Sequence, residues 1–266
     1  FQVKANMCPK LFLLDLCLII LMKSNYVEST METSEPRAQN LTVFQRGLCD
    51  KKATKNDILL NHNTYYSYTN DTKIMTQVLG FLEISNDNSY IEASRFIHKF
   101  AKLSPYELET RRSGPQKYHI SGLGLIRNTK RWAEDLTKSN RDLTIFPILR
   151  FPNWKTPDIL ALISSYGELI ELSKELIRIC EENDLDGLIL DVWSGFYGKM
   201  PTSSLTFIAQ EICARLRMNL KQALILIPPI YANSEVINRE IFEILAGVAN
   251  YVILDMYDYS SSWRPG

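Results

Sequence analysis

The chain has 266 residues, with 30 Lys and Arg against 30 Asp and Glu and a formal net charge of +0. Its hydrophobic content of 45% is that of a globular protein, which excludes wholesale disorder. The balanced charge supplies neither the basic surface that nucleic acid requires nor an attraction to an acidic membrane.

In chain order, the first legible segment begins at Met7. Lys10 precedes an apolar run from Leu11 to Met22, interrupted by Asp15. A run of this length fits a signal-peptide core and falls short of the roughly 20 residues that span a bilayer. Residues 7–25 are therefore expected to be a secretory signal, although Asp15 opposes insertion and a buried helix is the alternative. No transmembrane span is expected elsewhere. Residues 26–75 are polar without a sustained period and predict an extended N-terminal segment, partly ordered at best. They carry two sequons, Asn40-Leu41-Thr42 and Asn70-Asp71-Thr72. Behind a signal, Asn40 and Asn70 become candidate glycosylation sites, and the expected location is secreted or lysosomal. Beyond Cys8 and Cys17 near the signal run, Cys49, Cys180 and Cys213 remain, the last two on apolar faces of predicted helices and so read as buried thiols. There is no C-x-x-C, and His62, His98 and His119 lack metal-ligand spacing. No metal, cofactor or disulfide framework is expected.

From Val78 the texture changes. Short apolar runs at Val78–Leu82, Leu143–Leu149, Gly187–Val192, Ala223–Ile227 and Tyr251–Met256, with a weaker one near Phe100–Leu108, read as buried parallel strands. Between them lie amphipathic stretches. One carries Leu169, Leu172, Leu176, Ile179 and Cys180 on one stripe. Another carries Leu205, Ile208, Ala209, Ile212, Cys213, Leu216 and Leu220, preceded by the capping candidates Thr202, Ser203 and Ser204. This alternation predicts an α/β fold with a parallel sheet. An open nucleotide-binding sheet would show a Gly-rich turn after its first strand, and none follows Val78–Leu82, so an α/β barrel over residues 76–266 is favoured.

The fourth run can be read face by face, because side chains alternate along a strand. Leu188, Leu190 and Val192 are expected to face the helices, and Ile189, Asp191 and Trp193 the barrel interior. A carboxylate and an indole at the C-terminal end of an inward face stand where such barrels keep their sites; the alternative is a hydrogen-bonded core acid beside a packing tryptophan. In the sixth run, Tyr251, Ile253, Asp255 and Tyr257 are expected inside, and Val252, Leu254 and Met256 outside. Aromatic faces with carboxylates suit a sugar, whose apolar C–H patches are ringed by hydroxyls.

Asp186-Gly187-x-x-x-Asp191 resembles the strand-four signature of the glycoside hydrolase family 18 chitinases, D-G-x-D-x-D-x-E, and Tyr257-Asp258 resembles their strand-six M-x-Y-D motif. Val78-Leu79-Gly80-Phe81, Ile225-Leu226-Ile227-Pro228-Pro229, Tyr257-Asp258-Tyr259-Ser260 and Gln45-Arg46-Gly47-Leu48 are similar to a chitinase-like branch of that family. The resemblance runs from about Val43 to Gly266. It implies a (β/α)8 TIM barrel, here expected to stop after strand six. It also implies substrate-assisted chemistry, in which the ligand's N-acetyl oxygen attacks the anomeric carbon while a Glu protonates the leaving oxygen. In this chain Trp193 stands at the position of that Glu and Ile189 at that of another motif aspartate, while Asp191 keeps the position that orients the N-acetyl group. An indole has no proton to give at useful pH.

The expectation is therefore a chitinase-like, lectin-like binder of chitin or N-acetylglucosamine oligosaccharides. In it Asp191, Trp193, Tyr257 and Asp258 hold the sugar, with Trp154 as a weaker stacking candidate. Two alternatives stand beside it. One is an active glycosidase using Asp191 and Asp255 as a relocated acid/base pair. The other is a scaffold for a scavenger-type sorting receptor, a partner class that the resemblance implies.

Overall fold

The computed structural model describes residues 35–70, 76–83, 86–228 and 237–256. Residue contacts divide the chain into two units, Phe1–Tyr68 and Thr69–Gly266.

In the first unit, strand β1 (Arg37–Gln39) pairs in parallel with β2 (Thr64–Tyr66) through helix α1 (Lys55–Asn61). This is more structure than the polar sequence suggests, and the reason is local capping. Thr54 and Asp57 form a capping box, each side chain accepting the other's backbone N–H. Arg46 then donates to Asn61 Oδ1 and to Thr64 Oγ1, the latter at 2.6 Å, tying the preceding turn to both elements.

The second unit runs β3 (Leu79–Phe81), α2 (Asp87–Arg95), β4 (Lys102–Ser104), β5 (Glu107–Gly114), β6 (Lys117–Ser121), α3 (Leu123–Ser139), β7 (Thr144–Ile145), β8 (Ile148–Arg150), α4 (Thr156–Ser164), α5 (Tyr166–Glu182), β9 (Gly187–Asp191), α6 (Val192–Phe196), α7 (Thr202–Met218), β10 (Gln222–Ile227), α8 (Arg239–Val248) and β11 (Tyr251–Leu254). Two breaks, after Ser104 and after Ile145, split the second and third barrel strands into β4/β5 and β7/β8. The parallel pairings then follow chain order: β3 with β4, β4 with β7, β5 with β8, β8 with β9, β9 with β10 and β10 with β11. Six consecutive parallel barrel strands with helices outside them are a TIM-barrel arrangement, as the alternating runs predict. The antiparallel hairpin β5–β6 is an addition that the sequence reading missed.

The apolar residues sort into two cores. Phe146, Ile148, Ile189 and Leu224, flanked by Leu79, Leu226 and Ile253, fill the barrel interior. A larger cluster, including Leu149, Leu188, Leu190, Leu176 and Ile212, lies between the sheet and the helices. The expected stripe of α5 is buried in full, as is that of α7 as far as Leu216. Leu220 is different: α7 ends at Met218, and Leu220 sits at φ +60° and is almost fully exposed. The helix starts without help from Thr202, Ser203 or Ser204, since Pro201 holds the cap position and no side chain bonds there. Cys180 and Cys213 are buried free thiols, each pushed up to about 12 by burial.

At the bottom of strand four, Asp186 accepts the backbone N–H of Ile145 at 2.8 Å, so the first acid of the Asp-Gly pair fastens strand three to strand four. The glycine is obligatory, because a Cβ on Gly187 would lie 1.8 Å from Gln222 O on β10. At the same end, Gln77 Oε1 accepts from both the Tyr251 hydroxyl and the Lys102 ammonium, each at 2.8 Å, and the ammonium lies 4.5 Å from the centre of the Tyr251 ring. The beginning of β11 is thereby fastened to the approach to β3. Among the described residues, no helix is long and apolar enough to cross a membrane.

Candidate functional site

A cavity of about 250 Å³ opens at the C-terminal ends of the strands. Phe81 and Leu82 line it from strand one, Ser104, Tyr106 and Glu107 from strand two, Ile148 and Arg150 from strand three, Leu226 from strand five, and Ile253 through Met256 from strand six. Its polar centre is an ion cluster. Arg150 Nε and Nη2 clasp Glu107 at 2.8 and 2.7 Å, and Nη1 reaches Asp191 Oδ2 at 2.5 Å. Sheet register explains the cluster. Arg150 lies directly opposite Asp191 on β9, and Ile148, two residues earlier on the same face, lies opposite Glu107 on β5. Paired residues of adjacent parallel strands share a face. The guanidinium therefore spans strands two, three and four, and Glu107 holds it firmly protonated, with burial opposing.

Asp191 takes the inward place expected of it, but it is not open to the cleft. It is 1% exposed, bonded to Arg150, and its Oδ1 accepts the backbone N–H of Ser194 at 3.2 Å. That last bond caps α6, and with it the strand stops. The period of two ends at Asp191, so residue 193 does not follow residue 191 onto the inner face. Trp193 instead sits in the first turn of α6, fully buried within the cluster between sheet and helices. The expected aromatic platform at Trp193 is thereby corrected: its ring is fully buried, and Nε1 has no hydrogen-bond partner among the described residues. Gly195 lets this short helix pack down, since a Cβ there would lie 2.6 Å from Phe151 O.

Trp154 is also packing. It stacks on Tyr118 at 6.2 Å, meets Phe151 and Phe196 edge-on, and donates Nε1–H to Thr110 O at 2.6 Å. Asp255 lines the cavity from the end of strand six, while the carboxylate of Asp191 is screened from that cavity by Arg150. Val252 packs outward and Ile253 inward as expected, but Leu254 and Met256 are about half exposed, not helix-covered. Tyr257 and Asp258 lie outside the described residues, as does the segment 7–25 expected to be a signal. Asn40 and Asn70 are exposed, and Asn40 Oδ1 accepts from the Ser67 hydroxyl.

Glu107, Arg150, Ser104 and Phe81 are cleft residues that sequence reading missed. Arg150 carried a legible signal: a charged residue two positions beyond Ile148, at the end of an otherwise apolar strand. No group of three or more potential metal ligands occurs among the described residues.

The fold defined by these strands is that of a chitinase-type barrel. It superposes on a chitinase from Chromobacterium violaceum with a TM-score of 0.52 at 12% identity, covering 70% of this chain and 57% of that one. It superposes on a family 18 chitinase from Cycas revoluta, solved in complex with (GlcNAc)4 and with allosamidin, with a TM-score of 0.54 at 14% identity, covering 71% and 57%. A class V enzyme from Pseudomonas fluorescens gives 0.50 at 15% identity, covering 69% and 55%. The chain thus spans little more than half the length of these chitinases. No protein-family model matches the sequence.

Proposed function

We propose that the chain is a chitinase-like carbohydrate-binding protein of the family 18 type that holds chitin or N-acetylglucosamine oligosaccharides without cleaving them. One observation carries this reading: at the position where the resemblance puts the proton donor stands a tryptophan turned into the packed core. No acid can act from there, and loss of a positioned general acid costs on the order of 10²–10⁴ in rate. Support for a sugar ligand comes from the barrel, from the cleft at its C-terminal end with charged and apolar walls, and from the (GlcNAc)4 seen in the Cycas revoluta chitinase.

The relocated pair Asp191 and Asp255 is the weaker reading, because Asp191 already serves Arg150 and the cap of α6. Incubation with fluorogenic N-acetylglucosamine oligomers, alongside calorimetric titration with (GlcNAc)4, tests the two together. Binding without turnover is expected. Turnover that vanishes in Asp191→Asn would establish the glycosidase instead.

From the sequence motifs we further infer a place in the branch of chitinase domain-containing protein 1, the stabilin-interacting chitinase-like proteins. With it go a secreted or lysosomal location, glycans on Asn40 and Asn70, and a scavenger-type sorting receptor as partner. Glycosidase-sensitive mobility of the secreted chain, lost in Asn40→Gln with Asn70→Gln, is the expected outcome.

A further inference from the structure

The cleft contains a polar atom that the fold leaves unused. Ser104 closes β4 at 2% exposure, and its Oγ has no hydrogen-bond partner among the described residues. Buried hydroxyls are ordinarily paired, because burial without a partner costs free energy. Trp193 Nε1 and Thr110 Oγ1 are likewise unpaired, but neither residue lines the cavity, whereas Ser104 does. Ser104 also lies opposite Phe81 in the β3–β4 register, so the two side chains share the inward face. Phe81 is about half exposed and lines the same cavity. An aromatic face beside an unused donor and acceptor matches the two faces of a pyranose ring, apolar C–H on one side and polar substituents at its rim. A cavity of about 250 Å³ suits one such ring.

We propose that Ser104 is the hydrogen-bond anchor of the bound saccharide: its hydroxyl takes a ring hydroxyl or acetamide of one sugar unit stacked on Phe81. This inference rests on the carbohydrate-binding reading and names the residues that would make it specific.

Calorimetric titration of the full chain with (GlcNAc)4, comparing wild type, Ser104→Ala and Phe81→Leu with thermal melts alongside, tests it. Ser104→Ala is expected to weaken binding about three- to tenfold. Its melting temperature should hold or rise, because alanine removes a buried polar atom that no protein group satisfies. Phe81→Leu should weaken binding as well. Unchanged affinity in either variant overturns the proposal while leaving the carbohydrate reading standing. So does a fall in affinity matched by a fall in the melting temperature of Ser104→Ala, which would make the serine structural. If the wild-type chain does not bind (GlcNAc)4, both readings fall.

Discussion

Residue 193 is turned out of the cleft, and its orientation is set two residues earlier. The carboxylate of Asp191 captures the Ser194 N–H, winds the chain into α6 and turns the indole away from the barrel. Placing the acid of the chitinase motif at this position by Trp193→Glu should therefore not create hydrolysis. It places an unpaired carboxylate in an apolar core, and the expected result is an unfolded or strongly destabilised chain with no turnover of fluorogenic oligomers. Arg150 offers a sharper measurement. Arg150→Leu strips the buried Asp191 of its charged partner, although the guanidinium itself is 37% exposed, and the expected loss is about 2–3 kcal/mol by urea denaturation. Sequence reading placed Asp191 correctly because strand periodicity holds through Gly187–Asp191. It misplaced Trp193 because that period ends where a side-chain cap begins, and an acid that will cap the next helix looks no different in sequence from one that faces a ligand.

Among elements, the β5–β6 hairpin is locked to the helical layer by charge. Arg112 on β5 forks onto Glu168 of α5 at 3.2 and 2.6 Å and reaches Asp158 of α4, while the Tyr118 hydroxyl on β6 donates to Glu168 at 2.5 Å. The Arg112 guanidinium, with help from Tyr118 and against the effect of burial, holds the Glu168 carboxyl down to about 2. A carboxyl depressed on folding stabilises fully above its ordinary value of 4.5, and its contribution is lost as pH falls toward the folded value. Between pH 5 and 2 the chain should lose about 3 kcal/mol from this residue, and Glu168→Gln should flatten that part of the stability-against-pH curve. The helices α5 and α7 were legible because their stripes repeat at helical spacing. The hairpin was not, because Arg112 puts a charge on the face of Leu108 and Thr110, and the carboxylate that pairs with it, Glu168, lies far along the chain. Gly187→Ala tests the sheet at its tightest point. The added methyl would meet the β10 backbone, so soluble yield and melting temperature should both fall.

For the whole second unit, the order of strands sets the order of stability. β9 and β10 are paired on both sides, whereas β3 and β11 each have one partner among the described residues. Amide exchange should accordingly be slowest in Gly187–Asp191 and Gln222–Ile227, and fastest in Leu79–Phe81 and Tyr251–Leu254, rising still further in Ala223→Gly. Equal protection in all four segments would contradict the pairing described. The α/β class with a parallel sheet was readable from run length and alternation, since buried parallel strands must be apolar on both faces, and the missing Gly-rich turn then favoured the barrel. Which residues meet at the top of the barrel was not, because that depends on register between strands tens of residues apart.

The knot of Gln77, Lys102 and Tyr251 joins the two outermost ribs of this unit at the end remote from the cleft. Phe81 and Asp255 ride on those same ribs at the opposite end. The grip at the foot is thus expected to set the aperture at the mouth: Gln77→Ala should let the walls splay, and a faster release of (GlcNAc)4, with no cavity-lining residue changed, is the measurement that checks it.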